Sequence, residues 1–265
     1  MKTAVLIFGE FREFDIAITS WKFLENIDYD MYVNTWNRSR EENLELGIDI
    51  EESVDEQRIL KHFPNANVNI EEDTRIGLIS TRMLYHIRML FNRMVISGVK
   101  YDNVILLRPD IYFHDSTNIE SLLIELPDKR ILYGLSTVNH PPPPIFHFVN
   151  DCVFIGTVEL MRNTFLSFTE PDITRKNIHY YLAKHFINND IYIQPIWDNY
   201  SPQHLVLRSL HRNYMHCSFT ELIEIEHIYQ TIKHLMPIRD GIERSPKEII
   251  RIDGLKKRLK ELKHE

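Results

Sequence analysis

Arg108-Pro109-Asp110 closes the apolar run Asn103 to Leu107 and is the most chemically suggestive triplet in the sequence. Proline removes a backbone donor and stops the strand, so two charged side chains emerge together at its carboxyl end. A carboxylate there can take a hard divalent cation, and that cation can bridge two phosphates of a departing nucleoside diphosphate. Arg108 adds a second positive charge. The plainer reading is an Arg–Asp ion pair that caps the strand and the turn after it. A second candidate follows the apolar run Thr3 to Phe8. In Gly9-Glu10-Phe11-Arg12-Glu13 the glycine permits a tight turn and close approach of a ligand, and Arg12 carries a planar fork suited to a diphosphate. A glycine and an arginine on a loop are also ordinary punctuation between elements.

Three further places have the right residue types. Asp151 begins a strand after an irregular segment, where it can act as a general base toward an acceptor hydroxyl, hold sugar hydroxyls, or simply cap the turn. Trp197-Asp198-Asn199-Tyr200 offers aromatic faces for a pyranose, with Asp198 for its hydroxyls, or a loop packed onto the sheet. The thirteen histidines show no paired metal-ligand spacing such as HExxH. GxxxxGKS/T and GxGxxG are both missing, so a nucleotide must be held by something other than those backbone cradles.

The elements that must position these groups alternate. Thr3 to Phe8 reads as a strand buried on both faces, and Asp15 as the cap of a helix that carries Ile18, Trp21 and Leu24 inward. Asp30 to Asn34 is a second short strand. Ser53 and Glu56 form a capping box for a helix to Phe63, and a strand follows near Val68. The clearest helix runs from Ile76 to Ser97, with Leu84, Ile87, Phe91, Met94 and Val95 on one face and Gly98 as its stop. Strands at Asn103–Leu107, Arg130–Gly134, Cys152–Ile155 and Ile191–Ile196 alternate with helices capped by Thr157 and spanning Lys176 to Phe186. Pro141 to Pro144 make a stiff loop, and the last third reads as mainly helical. The pattern predicts a single α/β domain with a mostly parallel sheet, and sites beyond the carboxyl ends of its strands, after Phe8, Leu107 and Ile155.

Composition agrees with one ordinary globular domain. The chain has 265 residues, 43% of them apolar, and only eight glycines. Cys152 and Cys217 match no zinc or redox spacing, so a reducing cytoplasm is the expected setting. The run Ala4 to Phe8 is too short to span a membrane and lacks a signal-peptide cleavage pattern. A net charge of -7 disfavours a broad nucleic-acid-binding face, but the charge is uneven. Glu41 to Glu56 holds eight acidic residues and no basic one, whereas Arg244 to Glu265 holds eight Lys or Arg against four acids. Residues 1–243 are therefore read as the main domain and 244–265 as a basic C-terminal helix, with Ile249, Ile250, Leu255, Leu259 and Leu262 at helical spacing.

Four segments together resemble a known family. Ala4 to Arg12, Asp30-Met31-Tyr32-Val33-Asn34-Thr35-Trp36, Tyr101 to Asp110, and Asn150 to Met161 are similar, in order, to elements of the capsule and lipopolysaccharide glycosyltransferase-like proteins, which also occur in bacteriophages and large viruses. Those elements are a G-E/Q-x-R turn, a D-x-F/Y-x-x-x-W strand, a strand ending in R-P-D, and an N-D segment running into G-S/T-x-x-x-M. The resemblance spans Lys2 to Phe186 and implies a GT-A-like, Rossmann-like fold. It implies a nucleotide-sugar donor held by Gly9, Glu10, Arg12, Arg108 and Asp110, and a manganese or magnesium ion on Asp110. From the residues themselves, Asp151 and Arg108 are the expected catalytic groups, and Trp197, Asp198 and Tyr200, beyond the span of the resemblance, are the expected acceptor contacts. Arg108 stands where the first acid of the family's D-x-D motif is expected, so Arg108 can replace part of the cation's charge. The implied acceptor is a glycan. The alternatives are a hydroxymethylated base in phage DNA, toward which only the basic tail, with the His and Arg residues of the last third, points, and a glycan-binding or assembly protein that kept the fold without catalysis.

Overall fold

A computed structural model describes residues 1–73, 79–126, 131–136, 149–167, 178–196, 204–235 and 245–264. The described strands are β1 (Lys2–Phe8), β2 (Asp28–Trp36), β3 (Arg38–Asn43), β4 (Ile48–Ser53), β5 (Asn67–Glu71), β6 (Asn103–Leu107), β7 (Ile111–Phe113), β8 (Ile131–Ser136), β9 (Val149–Thr157), β10 (Tyr192–Pro195) and β11 (His204–Val206). The helices are α1 (Phe14–Ala17), α2 (Glu56–Leu60), α3 (Ile79–Ile96), α4 (Thr117–Glu125), α5 (Val158–Ser167), α6 (Ile178–Asn188), α7 (Phe219–His234) and α8 (Pro246–His264). Seven strands form one mixed sheet in the order β10-β8-β9-β6-β1-β2-β5, and β3–β4 and β7–β11 make two small antiparallel pairs. Every strand of the large sheet runs the same way except β9, which is antiparallel to both β6 and β8. The protein is therefore an α/β fold with a mostly parallel sheet and a helical C-terminal part.

The apolar runs explain the layering. Side chains alternate across a strand, so Ala4, Leu6 and Phe8 of β1 join Val104 and Leu106 of β6 on the face covered by α3, α5 and α6. Val5, Ile7, Ile105 and Leu107 point to the opposite face and meet Phe14, Trp21, Phe23, Ile59 and Ile119. Each such buried Leu, Ile, Val or Phe contributes about 1.5–3 kcal/mol against exposure, which is why Ala4–Phe8 of β1 and Val104–Leu107 of β6 are apolar throughout. A third apolar cluster joins Leu205, Leu207 and Tyr214 to Leu222, Ile225, Ile228 and Ile232 of α7 and Leu259 and Leu262 of α8.

Several expectations change. The helix expected behind Asp15 is broken into α1 and two 3-10 turns, Ile18–Ser20 and Lys22–Glu25. The Ser20 hydroxyl accepts the Phe113 N–H at 2.9 Å and the Trp21 indole N–H donates to the Ile111 carbonyl at 2.7 Å, so bonds to β7 override local helical order. Asp15 caps nothing; its carboxylate binds Arg58 and His62. Asp55, not Ser53, caps α2, accepting the Arg58 N–H at 2.8 Å. The acidic stretch forms most of the β3–β4 hairpin, and the inward residues of β3, Ser39, Glu41 and Asn43, are polar. Val95 is 51% exposed and Ile250 71% exposed, so neither belongs to the buried stripe of its helix; Ile249 is exposed as well. In α8 the inward residues are Ile252, Leu259 and Leu262. Because β9 runs backward, the end after Ile155 lies at the opposite edge from the ends of β1 and β6, and the start of β9 lies at theirs. The proline loop at 141–144 is outside the described residues.

Candidate functional site

The chain passes outward from β1 through β2 to β5, then returns to the other side of β1 as β6. The connections from β1 and β6 thus leave in opposite directions, and the carboxyl ends of strands at such a switch point are where open α/β sheets take ligands. Gly9 to Glu13 follows β1 and Arg108 to Asp110 follows β6. Gly9 has φ 106°, a conformation L residues rarely adopt, and its carbonyl accepts the Thr35 hydroxyl at 2.7 Å. Glu13 is also left-handed, at φ 48°, and its buried carboxylate accepts Arg212 Nε at 2.6 Å.

Asp110 lies at the centre, with its side chain fully buried. Arg108 forks onto both of its oxygens, with Nε 3.0 Å from Oδ1 and Nη2 2.7 Å from Oδ2. Arg12 Nη2 reaches the same Oδ2 at 2.9 Å. Burial disfavours the charged carboxylate, yet the Arg108 and Arg12 charges outweigh it and hold Asp110 below its ordinary value. Both arginine side chains remain 19% exposed. Arg12 Nε is buried and has no hydrogen-bond partner, the nearest carboxylate oxygen being Glu10 Oε2 at 3.7 Å. Glu10 itself is pushed above the usual glutamate range, because burial exceeds the attraction of Arg12.

Arg12, Arg108, Asp110, Gly9 and Glu10 therefore share one locus. The metal role expected of Asp110 does not fit it, since guanidinium N–H groups already occupy both oxygens. Among the described residues there is also no group of three or more His, Cys, Asp or Glu placed to hold a metal ion. Asp151 is in β9, next to Cys152, whose carbonyl accepts the Arg108 N–H at 2.9 Å; its backbone is at the right edge, and its side chain is outside the described set. Trp197, Asp198 and Tyr200 are likewise outside the described residues.

Two parts of the site have no counterpart in the sequence reading. Pairing of β11 with β7 and a 2.8 Å bond from the Leu207 N–H to the Asp110 carbonyl bring Arg208 to the cluster. Arg208 is held charged against its own burial by Glu226 and Asp110. Burial lowers Lys233 of α7, and the neighbouring Arg208 and Arg12 charges lower it further. The second part is a polar network beyond β2 and β5. Asn34 donates to Glu71 at 3.0 Å, accepts from Asn69 at 2.8 Å and bonds to the His86 ring. Burial depresses His86 to about 4, so the ring is neutral. Arg82 pairs with Asp73, lies 4.4 Å from the Trp36 ring centre and is within electrostatic reach of Glu10, so the network adjoins the arginine cluster. Beside Glu13 a cleft of about 550 Å³ is lined by Glu51, Glu52, Arg58 and Arg212 among others.

Comparison with models of known protein families and with curated proteins finds no match to the chain.

Proposed function

We propose that this protein is a nucleotide-sugar-dependent glycosyltransferase whose arginine cluster binds the donor's pyrophosphate. One observation carries the reading: two arginines from strand ends on either side of the sheet's switch point converge on one buried carboxylate, and one of them keeps a buried N–H without an acceptor. A phosphate oxygen is the acceptor such a fork suits, because guanidinium geometry matches phosphate bidentately. The sugar part of the reading rests on the four family-like segments, which occur in order along the chain.

In the proposed reaction the bond between the anomeric carbon and the β-phosphate oxygen breaks as the acceptor oxygen attacks that carbon. Negative charge grows on the departing diphosphate, and preplaced N–H donors in a partly buried site offset it without reorganising. The acceptor's proton passes to a base, the role proposed for Asp151. A glycan is the favoured acceptor. In the basic tail Lys256 and Arg258 are engaged with Glu45 and Glu224, whereas Lys247, Arg251, Lys257, Lys260 and Lys263 stay exposed, so the DNA alternative stands beside it. No helix among the described residues is long and apolar enough to cross a membrane.

The test is incubation of the purified protein with uridine, guanosine, cytidine and thymidine sugar nucleotides, without acceptor, followed by assay of released nucleotide. Slow hydrolysis of one donor class, lost in Arg12→Gln and Arg108→Gln, is the expected result. Turnover unchanged by both substitutions would overturn the site assignment, and no turnover with any donor would favour a binding protein of this fold.

A further inference from the structure

We propose that the site grips the donor diphosphate without a divalent cation, with Arg12 and Arg108 in the cation's electrostatic place and Asp110 as the positioning residue that aims both. This inference rests on the glycosyltransferase reading and specifies how that site binds.

The geometry argues it in four steps. A hard cation needs a carboxylate oxygen at about 2.0–2.6 Å with its lone pairs turned to the metal. Asp110 Oδ1 faces Arg108 Nε, and Oδ2 is shared by Arg108 Nη2 and Arg12 Nη2, so three of the carboxylate's roughly four lone-pair directions are taken and a metal on it would sit against two positive charges. Second, residue 108, which the resemblance compares with a metal-binding acid, is an arginine, and its guanidinium is turned onto Asp110 instead. Third, within the Arg12–Asp110–Arg108 cluster the unsatisfied polar atom is a donor, although Glu226 beside Arg208 keeps an unsatisfied acceptor, Oε2. Arg12 Nε is buried with no hydrogen-bond acceptor, and an anion's oxygen completes it whereas a cation would be repelled. Fourth, the positive charge extends beyond the pair. Arg208 is delivered by the Leu207–Asp110 backbone bond, and Lys233 is within electrostatic reach of Arg12 and Arg208.

Asp110 has a defined part in this. A guanidinium carries five N–H donors in a rigid fork, and the edge turned to Asp110 fixes the direction of the rest. One carboxylate bonded to two such forks locks them in a common orientation, so the diphosphate meets donors that lose little freedom on binding.

The experiment is calorimetric titration of the full chain with UDP, GDP, CDP, ADP and dTDP, first in EDTA and then with manganese or magnesium chloride. We expect one nucleoside diphosphate to bind with a Kd that agrees within about twofold between the two conditions. Arg12→Lys and Arg108→Lys, which keep charge but lose the fork, should each weaken it by about tenfold or more in EDTA. Asp110→Asn, measured at a temperature where circular dichroism shows it folded, should weaken binding to a similar degree. A purely structural Asp110 would lower the melting temperature and leave that Kd unchanged. Should Asp110→Asn not fold, the two lysine variants decide alone. Binding that disappears in EDTA and returns with manganese overturns metal independence and leaves the glycosyltransferase reading standing. No binding in either condition overturns both.

Discussion

Arg12 and Asp110, separated by 98 positions in sequence, meet through a 2.9 Å bond between Nη2 and Oδ2. The contact joins the loop after β1 to the loop after β6 across the point where the sheet changes winding direction. It turns two unremarkable strand ends into one site.

Asp110→Asn is predicted to cost about 3 kcal/mol of stability. Removing the charge leaves Arg12 and Arg108 facing each other around a neutral amide, and breaking a buried pair from one side typically costs about 3–5 kcal/mol. Both arginines keep some solvent access, which places the estimate at the lower end. Urea unfolding at pH 7 measures it, and a loss well under about 1 kcal/mol would mean the carboxylate is not holding the cluster together.

Glu10→Gln should stabilise the protein at neutral pH. Burial pushes the Glu10 carboxyl up by more than Arg12 pulls it down, so the ionised form is a net liability in the folded state. A raised acid favours folding at low pH, and that advantage is lost as pH rises through its folded value. The variant should therefore have the higher urea midpoint at pH 7–8 and lose that advantage near pH 4. Equal midpoints throughout would show that Glu10 has no net burial cost.

His86, His204 and His211 are all depressed to about 4 from the ordinary 6.5, in each case chiefly by burial. The unfolded chain binds protons at these rings between those two values and the folded chain does not, so stability falls as pH drops from 6.5 toward 4. Each shift corresponds to roughly 3 kcal/mol at full expression. Denaturation midpoints across that range should decline, and NMR should find the His86 ring still neutral at pH 5.5. Protonation of His86 near 6.5 would contradict its buried position.

Gly9 and Gly156 should both resist alanine, for different reasons. At Gly9 an added Cβ has nothing within 4 Å, so the cost is the φ of 106° alone, about 1 kcal/mol or more. At Gly156 the Cβ would come within 2.5 Å of Leu132 Cδ2 and 3.1 Å of Met161 Cγ, where β9 packs under α5. Overpacking there should cost about 1–3 kcal/mol. Only Gly9→Ala is expected to weaken nucleotide binding, because only Gly9 shapes the loop that carries Arg12. Comparable loss of binding from Gly156→Ala, with its fold intact, would disprove that distinction.

How much of this was legible follows from what each segment buries. β6 was legible to the residue and β1 to within one, because continuous apolar runs buried on both faces have no other stable placement. The β3–β4 hairpin was not, since Ser39, Glu41 and Asn43 face inward and hydrophobic period carries no signal when the buried face is polar. Arg108-Pro109-Asp110 stood out as a place for chemistry, and the Arg108–Asp110 pair was readable from local spacing, but the second guanidinium on Asp110 comes from Arg12, a tertiary fact invisible to that spacing. Arg208 was missed for the same reason: it reaches the site through β11, three residues long, in a stretch read as helical.

Glu41 fastens the acidic hairpin to the turn ahead of α7, because its carboxylate accepts the Ser209 N–H at 2.8 Å. A polypeptide cut before His204 would retain all seven strands of the large sheet, but that carboxylate would lose this bond and Asp110 would lose the Leu207 donor. Early and late segments thus stand or fall together, so progressive shortening from the C-terminus should reveal a threshold in solubility and not a graded decline.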